Sequence, residues 1–392
     1  MQYTPSDLVA AFASLPDPRR AQGRRFSLAA ILTLAVVALL SNHLSILAIA
    51  QFGKRQPRAV LTALGFPAGI APHQSTLHRL FRTLDPLPLA VALTARFAPA
   101  RSPDDPRGSV GIALDGKTHR GRLAYANQPE YPVHMLSAVL HAQGIVLAQT
   151  PLDHSGEKAE AELAAAPALI ARLDWHGCVL TGDALYADPD LCATVRDAGG
   201  DYLVIVKRNQ PTTLHAVATL FAARADAALA AASLPPWDMR QTTTVEKGHG
   251  RVEVRRLAAS TELNDYLGWP FLAQVVMIAR TWWERGVRHE AVRYALTSLS
   301  PETADAGRLL MLARGHWQIE NGVHYVKDVT LGEDRSTIRV GHGPSVMAIL
   351  RDTVVSLLHR AGWRTIAERL RFFSGDVCAA LAFLGIPLTQ NA

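Results

Sequence analysis

The stretch HWQIENGVHYVKD, residues 316–328, sets a carboxylate, Glu320, four residues from a histidine on either side, with Asn321 beside it and Lys327 seven residues on. Three readings of that pattern compete: a metal site of His316, Glu320 and His324, a polar helix face without chemistry, or one third of a site assembled from distant parts of the chain. An α-helix turns about 100° per residue, so His316, Glu320, Lys327 and either His324 or Asp328 are expected on one side of it. Two further acids have a setting that could join them. Asp115 ends the apolar run in VGIALDG (110–116), and Asp183 ends the one in CVLTGDALY (178–186). Sites in open α/β sheets gather at the carboxyl ends of the strands. A single Asp there is better explained as the cap of a following turn; two in separate strands of one sheet point toward a shared site.

Three carboxylates without a fixed cationic partner repel one another and become stable together when hard divalent cations neutralise them. Mg²⁺ and Mn²⁺ prefer such oxygen ligands. Two ions about 4 Å apart can activate a water or hydroxyl and stabilise a leaving oxygen in phosphodiester chemistry. The rival zinc site would draw His316, Glu320 and His324 from one helix, where side chains at successive i+4 positions project in parallel rather than converge. The usual motif takes an i, i+4 pair and a third ligand from elsewhere.

The elements that must carry these residues can be read from periodicity. PVHMLSAVLHAQGIVLAQTPL (132–152) reads as two strands around a Gly turn, EKAEAELAAAPALIARLDW (157–175) as a helix, PDLCATVRDAGG (189–200) as a helix with a Gly stop, and DYLVIVKRNQP (201–211) as a strand running into a basic loop. With the two Asp-terminated strands this gives a mixed sheet with helices packed on it. There are 67 residues between Asp115 and Asp183 and 136 between Asp183 and Glu320. A direct crossover needs far fewer than the second number, so much of 207–300 forms an insertion. Residues 241–259 and 271–299 alternate as strands do, around Gly turns.

Residues 5–98 read as helices. LAAILTLAVVALL (28–40) is the most apolar run, and its 13 residues fall short of the roughly 20 that span a bilayer. A buried helical hairpin with LSILAIAQF after it is expected, and no membrane partner. Residues 1–20 lack a signal-peptide pattern. Three unpaired cysteines, Cys178, Cys192 and Cys378, suit a reducing cytoplasm better than a disulfide framework. APARSPDDPRGSV (98–110) has loop density and is expected to be a domain boundary. Charge is uneven across it. Residues 1–108 carry 12 Lys/Arg against 5 acids, whereas the whole chain has a net charge of +6, so the remainder sums to −1. A basic segment on a near-neutral body suggests a polyanion, nucleic acid before membrane. The short helix expected in HQSTLHRLFRTLD (73–85), with Arg79 and Arg82, is a candidate DNA-recognition element.

Five blocks, IALDGKTHRGR, VLTGDALYAD, DYLVIVKRNQP, KGHGRVEVRR and RGHWQIENGVHYVKDVTLGEDRS, occur in that order. They closely resemble the bacterial insertion-sequence transposases that include the H-repeat-associated proteins, within the wider DDE group. The resemblance runs over nearly the whole chain. It implies an RNase H-like catalytic fold with a β-rich insertion, a triad on Asp115, Asp183 and Glu320, and Mg²⁺-dependent cutting and joining of DNA at element ends. The signature of related transposases places a Tyr and an Arg before the last Glu and a Lys after it. Here Glu320 and Lys327 match, while Ala313 stands at the Tyr position and His316 at the Arg position, which questions the phosphate grip given to that Arg. Trp317 and Asn321 fit the narrower HWxIEN pattern.

The expectation is therefore a helical, DNA-end-binding N-terminal domain over 1–108, an RNase H-like domain over 109–350 with the insertion at about 207–300, and a C-terminal helical segment over 351–392. Asp115, Asp183 and Glu320 would hold two Mg²⁺ or Mn²⁺ ions, with His316, Asn321 and Lys327 as auxiliaries. Lys117, His119, Arg120 and Arg122 after the first acid, Lys207, Arg208 and Asn209 after the last sheet strand, and His249, Arg251 and Arg255 in the insertion are candidate DNA contacts, since phosphate contacts set register without reading bases. Trp282 and Trp283 could stack on a base, although packing explains them better. Double-stranded DNA and, on it, a second copy of the chain are the expected partners. A catalytically silent DNA-binding remnant and a nuclease without strand transfer share these residues.

Overall fold

The computed structural model describes residues 6–94, 97, 109–118, 134–152, 158–225, 238–248 and 251–388. The chain forms two compact units, one of residues 1–102, 116–165 and 319–392, the other of 103–115 and 166–318.

The first unit is built around an all-apolar helix. Helices α1 (Ser6–Ala13), α2 (Leu28–Leu40), α3 (Ile46–Arg55), α4 (Arg58–Ala63), α5 (Gln74–Thr83) and α6 (Pro86–Thr94) occupy its N-terminal part. Ser27 caps α2 by accepting from the Ala30 amide, and every α2 residue except Ala29 is buried. A helix apolar all round must be buried all round. It is enclosed by α1, α3 and three C-terminal helices, α11 (Gly343–Arg360), α12 (Ile366–Gly375) and α13 (Val377–Phe383). The expected buried hairpin of 28–40 with the following helix is thus present. The unit also holds the end of strand β1 (Val110–Thr118) and the antiparallel pair β2 (His134–Leu140) and β3 (Ile145–Pro151), with β2 between β1 and β3. Helices α6 and α11 pack on β3.

The second unit carries a large mixed sheet. After α7 (Lys158–Ile170), which begins in the first unit, come β4 (Cys178–Gly182), α8 (Pro189–Asp197), β5 (Asp201–Val206), α9 (Pro211–Ala225), β6 (Arg240–Gly248), β7 (Arg251–Ser260), β8 (Gln274–Glu284), β9 (Val287–Thr297) and α10 (Ala306–Gly315). The sheet order in this unit is β1-β4-β5-β9-β8-β7-β6. β1, β4 and β5 are parallel, and β9 through β6 form an antiparallel meander. Helix α10 covers one face through Leu309, Leu310 and Leu312, which pack with Val179, Leu203, Leu257 and Val276. The insertion differs from the all-strand reading in one respect: it opens with α9, which packs on β8 and β9.

A second difference bears on the site. Residues 316–328 are not one α-helix. Helix α10 ends at Gly315, with His316 as its C-cap, and the chain then winds as π-helix over Ile319–His324 and again over Val326–Thr330. The π turn closes i→i+5 hydrogen bonds and is frequent at functional sites.

Candidate active site

The two aspartates are brought level by strand register. β1 and β4 run parallel, with Ala113 opposite Thr181. Carrying that register two residues on sets Asp115 opposite Asp183, and neighbouring strands lie about 4.8 Å apart. Asp183 directly follows the last residue of β4 and is exposed, whereas Asp115, expected to end its strand, is half-buried with β1 running three residues past it to Thr118. Asp183 also caps the next turn, accepting from the Leu185 amide at 2.9 Å. The capping role and the site role therefore coexist. The loop after β5 braces that turn: Asn209 Nδ2 donates to the Ala184 carbonyl at 2.6 Å, and Gln210 Nε2 to that of Ala187 at 3.2 Å. Asn209 thus supports the backbone next to Asp183, while Lys207 and Arg208 are exposed beside it. Gly182 is required there, because a Cβ would come within 2.6 Å of the Tyr186 Cβ.

His316 serves the same sheet end. Its Nδ1 lies 3.2 Å from the Thr181 hydroxyl, one pleat below Asp183. Burial lowers its pKa, with Asp183 pulling the other way. A histidine kept neutral in this way is a poor substitute for a phosphate-gripping Arg. Trp317 is exposed, with the Arg293 guanidinium 4.8 Å from its ring centroid.

Glu320 sits on the π-helical segment of the first unit, exposed, and Asn321 beside it is exposed as well. Its Oε2 is 3.1 Å from Nδ1 of His324, which is buried. Burial lowers the pKa of His324 against the opposing bond to Glu320. An ionised carboxylate only accepts, so Nδ1 carries the proton and Nε2 presents a lone pair. The zinc reading loses its geometric basis, because it needed three ligands from one α-helix. His316 instead faces Thr181, and His324 orients Glu320.

Lys327 is the clearest correction. In an α-helix seven residues make nearly two turns, which would set Lys327 beside Glu320. In the wider π turn seven residues fall well short of two, and the side chains separate. Lys327 is 1% exposed, with Nζ 2.9 Å from Asp352 and 3.4 Å from Glu333. Arg351 lies 3.5 Å from Glu333 and is buried too. Burial opposes charge on Lys327, but Asp352 and Glu333 outweigh it and raise its pKa. Burial pushes Asp352 up to about 6 against the pull of Lys327. The two shifts favour opposite things, charge on Lys327 and neutrality on Asp352, yet at neutral pH both leave a charged pair.

Of the candidate DNA contacts, Lys117 is 8% exposed and pairs with Asp328 at 2.5 Å. Burial raises the Asp328 carboxyl, with Lys117 opposing. Arg255 is half-buried and bridges Glu246 at 2.8 Å and Glu253 at 2.6 Å, Arg314 also pairs with Glu246, and Arg280 with Glu253. Trp282 stacks on His289 at 5.1 Å with Arg280 against its ring, and Trp283 is exposed. Arg79 and Arg82 are exposed on α5, whose Leu77, Leu80 and Phe81 are buried. His119, Arg120, Arg122, His249 and the side chain of Arg251 lie outside the described residues. The ion pairs of Lys117 and Lys327 went unread in the sequence, where Lys117 suggested a phosphate contact and Lys327 an auxiliary beside Glu320; the buried Asp352 that would have signalled otherwise lies 25 residues beyond Lys327.

Residues 106–356, well over half of the chain, match the family described as Transposase DDE domain, and residues 9–95 match the one described as DDE_Tnp_1-associated. The chain belongs to the DDE transposases, a family whose membership implies a DNA partner and divalent-metal use. It is similar to "H repeat-associated putative transposase YhhI" of Escherichia coli (strain K12), 26% identical over 97% of this chain and 98% of that protein. "Putative transposase YncI" of Escherichia coli O157:H7 is 26% identical over 88% of this chain and 85% of its own length. "Uncharacterized protein in dhlA 3'region" of Xanthobacter autotrophicus is 31% identical over 68% of this chain and 86% of its own.

Proposed function

We propose that the protein cleaves DNA at the ends of its own insertion sequence and joins the freed 3′-hydroxyl to target DNA. Asp115, Asp183 and Glu320 are the metal-holding and catalytic residues of an RNase H-like domain spanning 109–350. The observation that supports this reading is the register of adjacent parallel strands, which sets Asp115 within β1 level with Asp183 just beyond β4, in a chain of the DDE transposase family. The donor set fits the metal class, because the three carboxylates offer hard oxygen ligands, with the His324 ring at Glu320 as a nitrogen donor beside them. Two Mg²⁺ or Mn²⁺ ions would supply Lewis-acid activation and stabilisation of a leaving oxygen.

The chain's own residues hold and orient. The Leu185 amide fixes one oxygen of Asp183. His324 holds one oxygen of Glu320 through its Nδ1 proton. Neutral His316 keeps additional positive charge away from Asp183 and leaves that carboxylate available. Exposed Lys207 and Arg208 border the same sheet end and suit flanking phosphates. The basic N-terminal helices bind the element ends, and a second copy completes the assembly on DNA.

The test is the purified protein with its element ends, a target plasmid and Mg²⁺. Cleaved ends and joined products are expected, abolished by EDTA and restored by Mg²⁺ or Mn²⁺. Cleavage without joining would reduce the activity to a nuclease, and binding without cleavage would leave a silent remnant.

A further inference from the structure

We infer that Lys117 and Asp328, together with Lys327 and Asp352, lock the π-helical register of the segment that carries Glu320, so that both lysines are positioning residues and not DNA contacts. The role toward Glu320 rests on the function proposed above; the locking of the segment does not.

Consecutive residues of this segment are gripped from different elements of one unit. Lys327 reaches Asp352 on α11 at 2.9 Å and Glu333 at 3.4 Å. Asp328 takes Lys117, near the end of β1, at 2.5 Å. All four residues of the inner group, Lys327, Glu333, Arg351 and Asp352, are no more than 2% exposed. Arg351 is further held by the Leu44 carbonyl at 3.2 Å. The Lys327 ammonium cannot meet a phosphate without leaving the buried Asp352 carboxylate unpaired, and that of Lys117 is engaged by Asp328.

The pairs also discriminate between two windings of the same sequence. As an α-helix, the segment would rotate Lys327 toward the face of Glu320 and away from Asp352. A buried charge left without its partner is strongly unfavourable, and fixing register is the best-attested use of buried polar pairs. The π winding lets Lys327 face inward while Glu320, seven residues earlier, stays exposed. The ion pairs thus set where the third acid stands.

The outer pair is the one to test, because Asp328 retains 26% side-chain exposure and tolerates exchange better than the inner group. The full-length variants are Lys117→Met, Asp328→Asn and the exchange Lys117→Asp/Asp328→Lys. Amide hydrogen exchange over 319–330, end-DNA affinity against salt, and the Mn²⁺ concentration for half-maximal cleavage are measured for each. Both single variants should lose protection over 319–330 and need about tenfold more Mn²⁺, the lower end of what removing a ligand's supporting partner costs. Their salt slopes should equal the wild-type value, and the exchange should restore protection and Mn²⁺ demand.

Wild-type protection in Asp328→Asn would overturn the inference, since that variant leaves Lys117 intact and only removes its anchor. A salt slope lower by about 0.9 in Lys117→Met, with protection unchanged, would make Lys117 a phosphate contact. If Lys117→Met does not fold, Asp328→Asn carries the same decision. If wild-type protein shows no metal-dependent cleavage, the proposed function fails while the exchange data still decide the lock.

Discussion

The two regions that carry the acids are held by opposite physics. Asp115 and Asp183 stand on a sheet whose parallel backbone ladder fixes their register and whose core at Val179, Leu203, Leu309 and Leu312 is apolar. Glu320 stands on a π-helical segment whose inner face is Lys327, in a cluster with Glu333, Arg351 and Asp352. A backbone ladder tolerates side-chain change, since its hydrogen bonds belong to every residue. An ion cluster does not, because each member depends on the charge of the others. The sheet acids should therefore be replaceable without harm to folding, and the segment bearing the third acid should be the fragile part of the molecule.

The largest expected effect follows at the acids themselves. Asp115→Asn, Asp183→Asn and Glu320→Gln each remove one charge of the proposed triad at constant shape. Cleavage should fall at least about a hundredfold, as with other losses of transition-state charge stabilisation. End-DNA binding and thermal unfolding should stay at wild-type values. A variant that cleaves near-normally removes its residue from the proposed triad. One that unfolds early instead contradicts the division between ladder and cluster for that residue.

Stability separates the regions next. Lys327→Met takes the ammonium from Asp352 and leaves Glu333 to Arg351 alone, and should cost about 3–5 kcal/mol in denaturant unfolding. Adding Asp352→Leu removes the orphaned charge and should recover most of that loss, since a matched apolar pair can replace a buried ion pair. In the sheet unit, Leu309→Ala should cost about 2–5 kcal/mol through the cavity it leaves, with no single partner change able to rescue it. A double variant no better than Lys327→Met would show that packing, not charge, dominates at 327.

How much of this the sequence disclosed follows the same division. Asp115 and Asp183 were legible as candidates because short apolar runs closing on Asp are local signals, although β1 continues past Asp115 to Thr118; the strands from 110 to 206 lie close to those apolar runs, and those from 240 to 297 close to where alternation puts them. Glu320 was legible by type and by resemblance. Its surroundings were not, because α and π windings share composition and differ only in which distant partners their faces meet. Lys327 fits an α-helical face with Glu320 on paper; Asp352 and Glu333, which draw it inward, act only after folding. Helix α9 is marked more weakly: PTTLHAVATLFAARA (211–225) opens on Pro211, a first-position signal that also reads as the end of the preceding strand and loop.

Acidification should act on the segment with two signs. Burial depresses the pKa of His324 below its ordinary 6.5, so the unfolded chain takes up a proton before the folded one. That share of stability is present above pH 6.5 and is lost as pH falls through the folded value. Asp352 runs the other way. Its carboxyl, pushed up from 3.8 to about 6, is protonated in the folded chain first, a contribution present below 3.8 and lost as pH rises through about 6. Asp352→Asn should therefore steepen the loss of stability between about pH 6 and 4, measured by unfolding midpoints. An unchanged slope would place the Asp352 titration close to that of an ordinary carboxylate.

The smallest effect concerns DNA affinity and tests whether the basic charge of 1–108 is functional. Helix α5 buries Leu77, Leu80 and Phe81 and leaves Arg79 and Arg82 in solvent. Arg79 Nε donates to the Ser75 carbonyl at 3.2 Å, which steadies its guanidinium, and the Arg82 carbonyl accepts from the His342 amide at 3.1 Å, which fixes the helix end. A helix with a fixed end and one steadied guanidinium, that of Arg79, costs less further ordering on binding. Each phosphate neutralised contributes about 0.9 to the slope of log affinity against log salt. Arg79→Ala/Arg82→Ala in the full chain should lower the slope by one to two such increments. Because neither arginine belongs to the proposed site, a pre-nicked end at saturating protein should react at the wild-type rate. If the slope does not change, α5 is a packing helix whose arginines are solvated, and end recognition moves to the exposed cations of the sheet unit, Lys207, Arg208, Arg288 and Arg293.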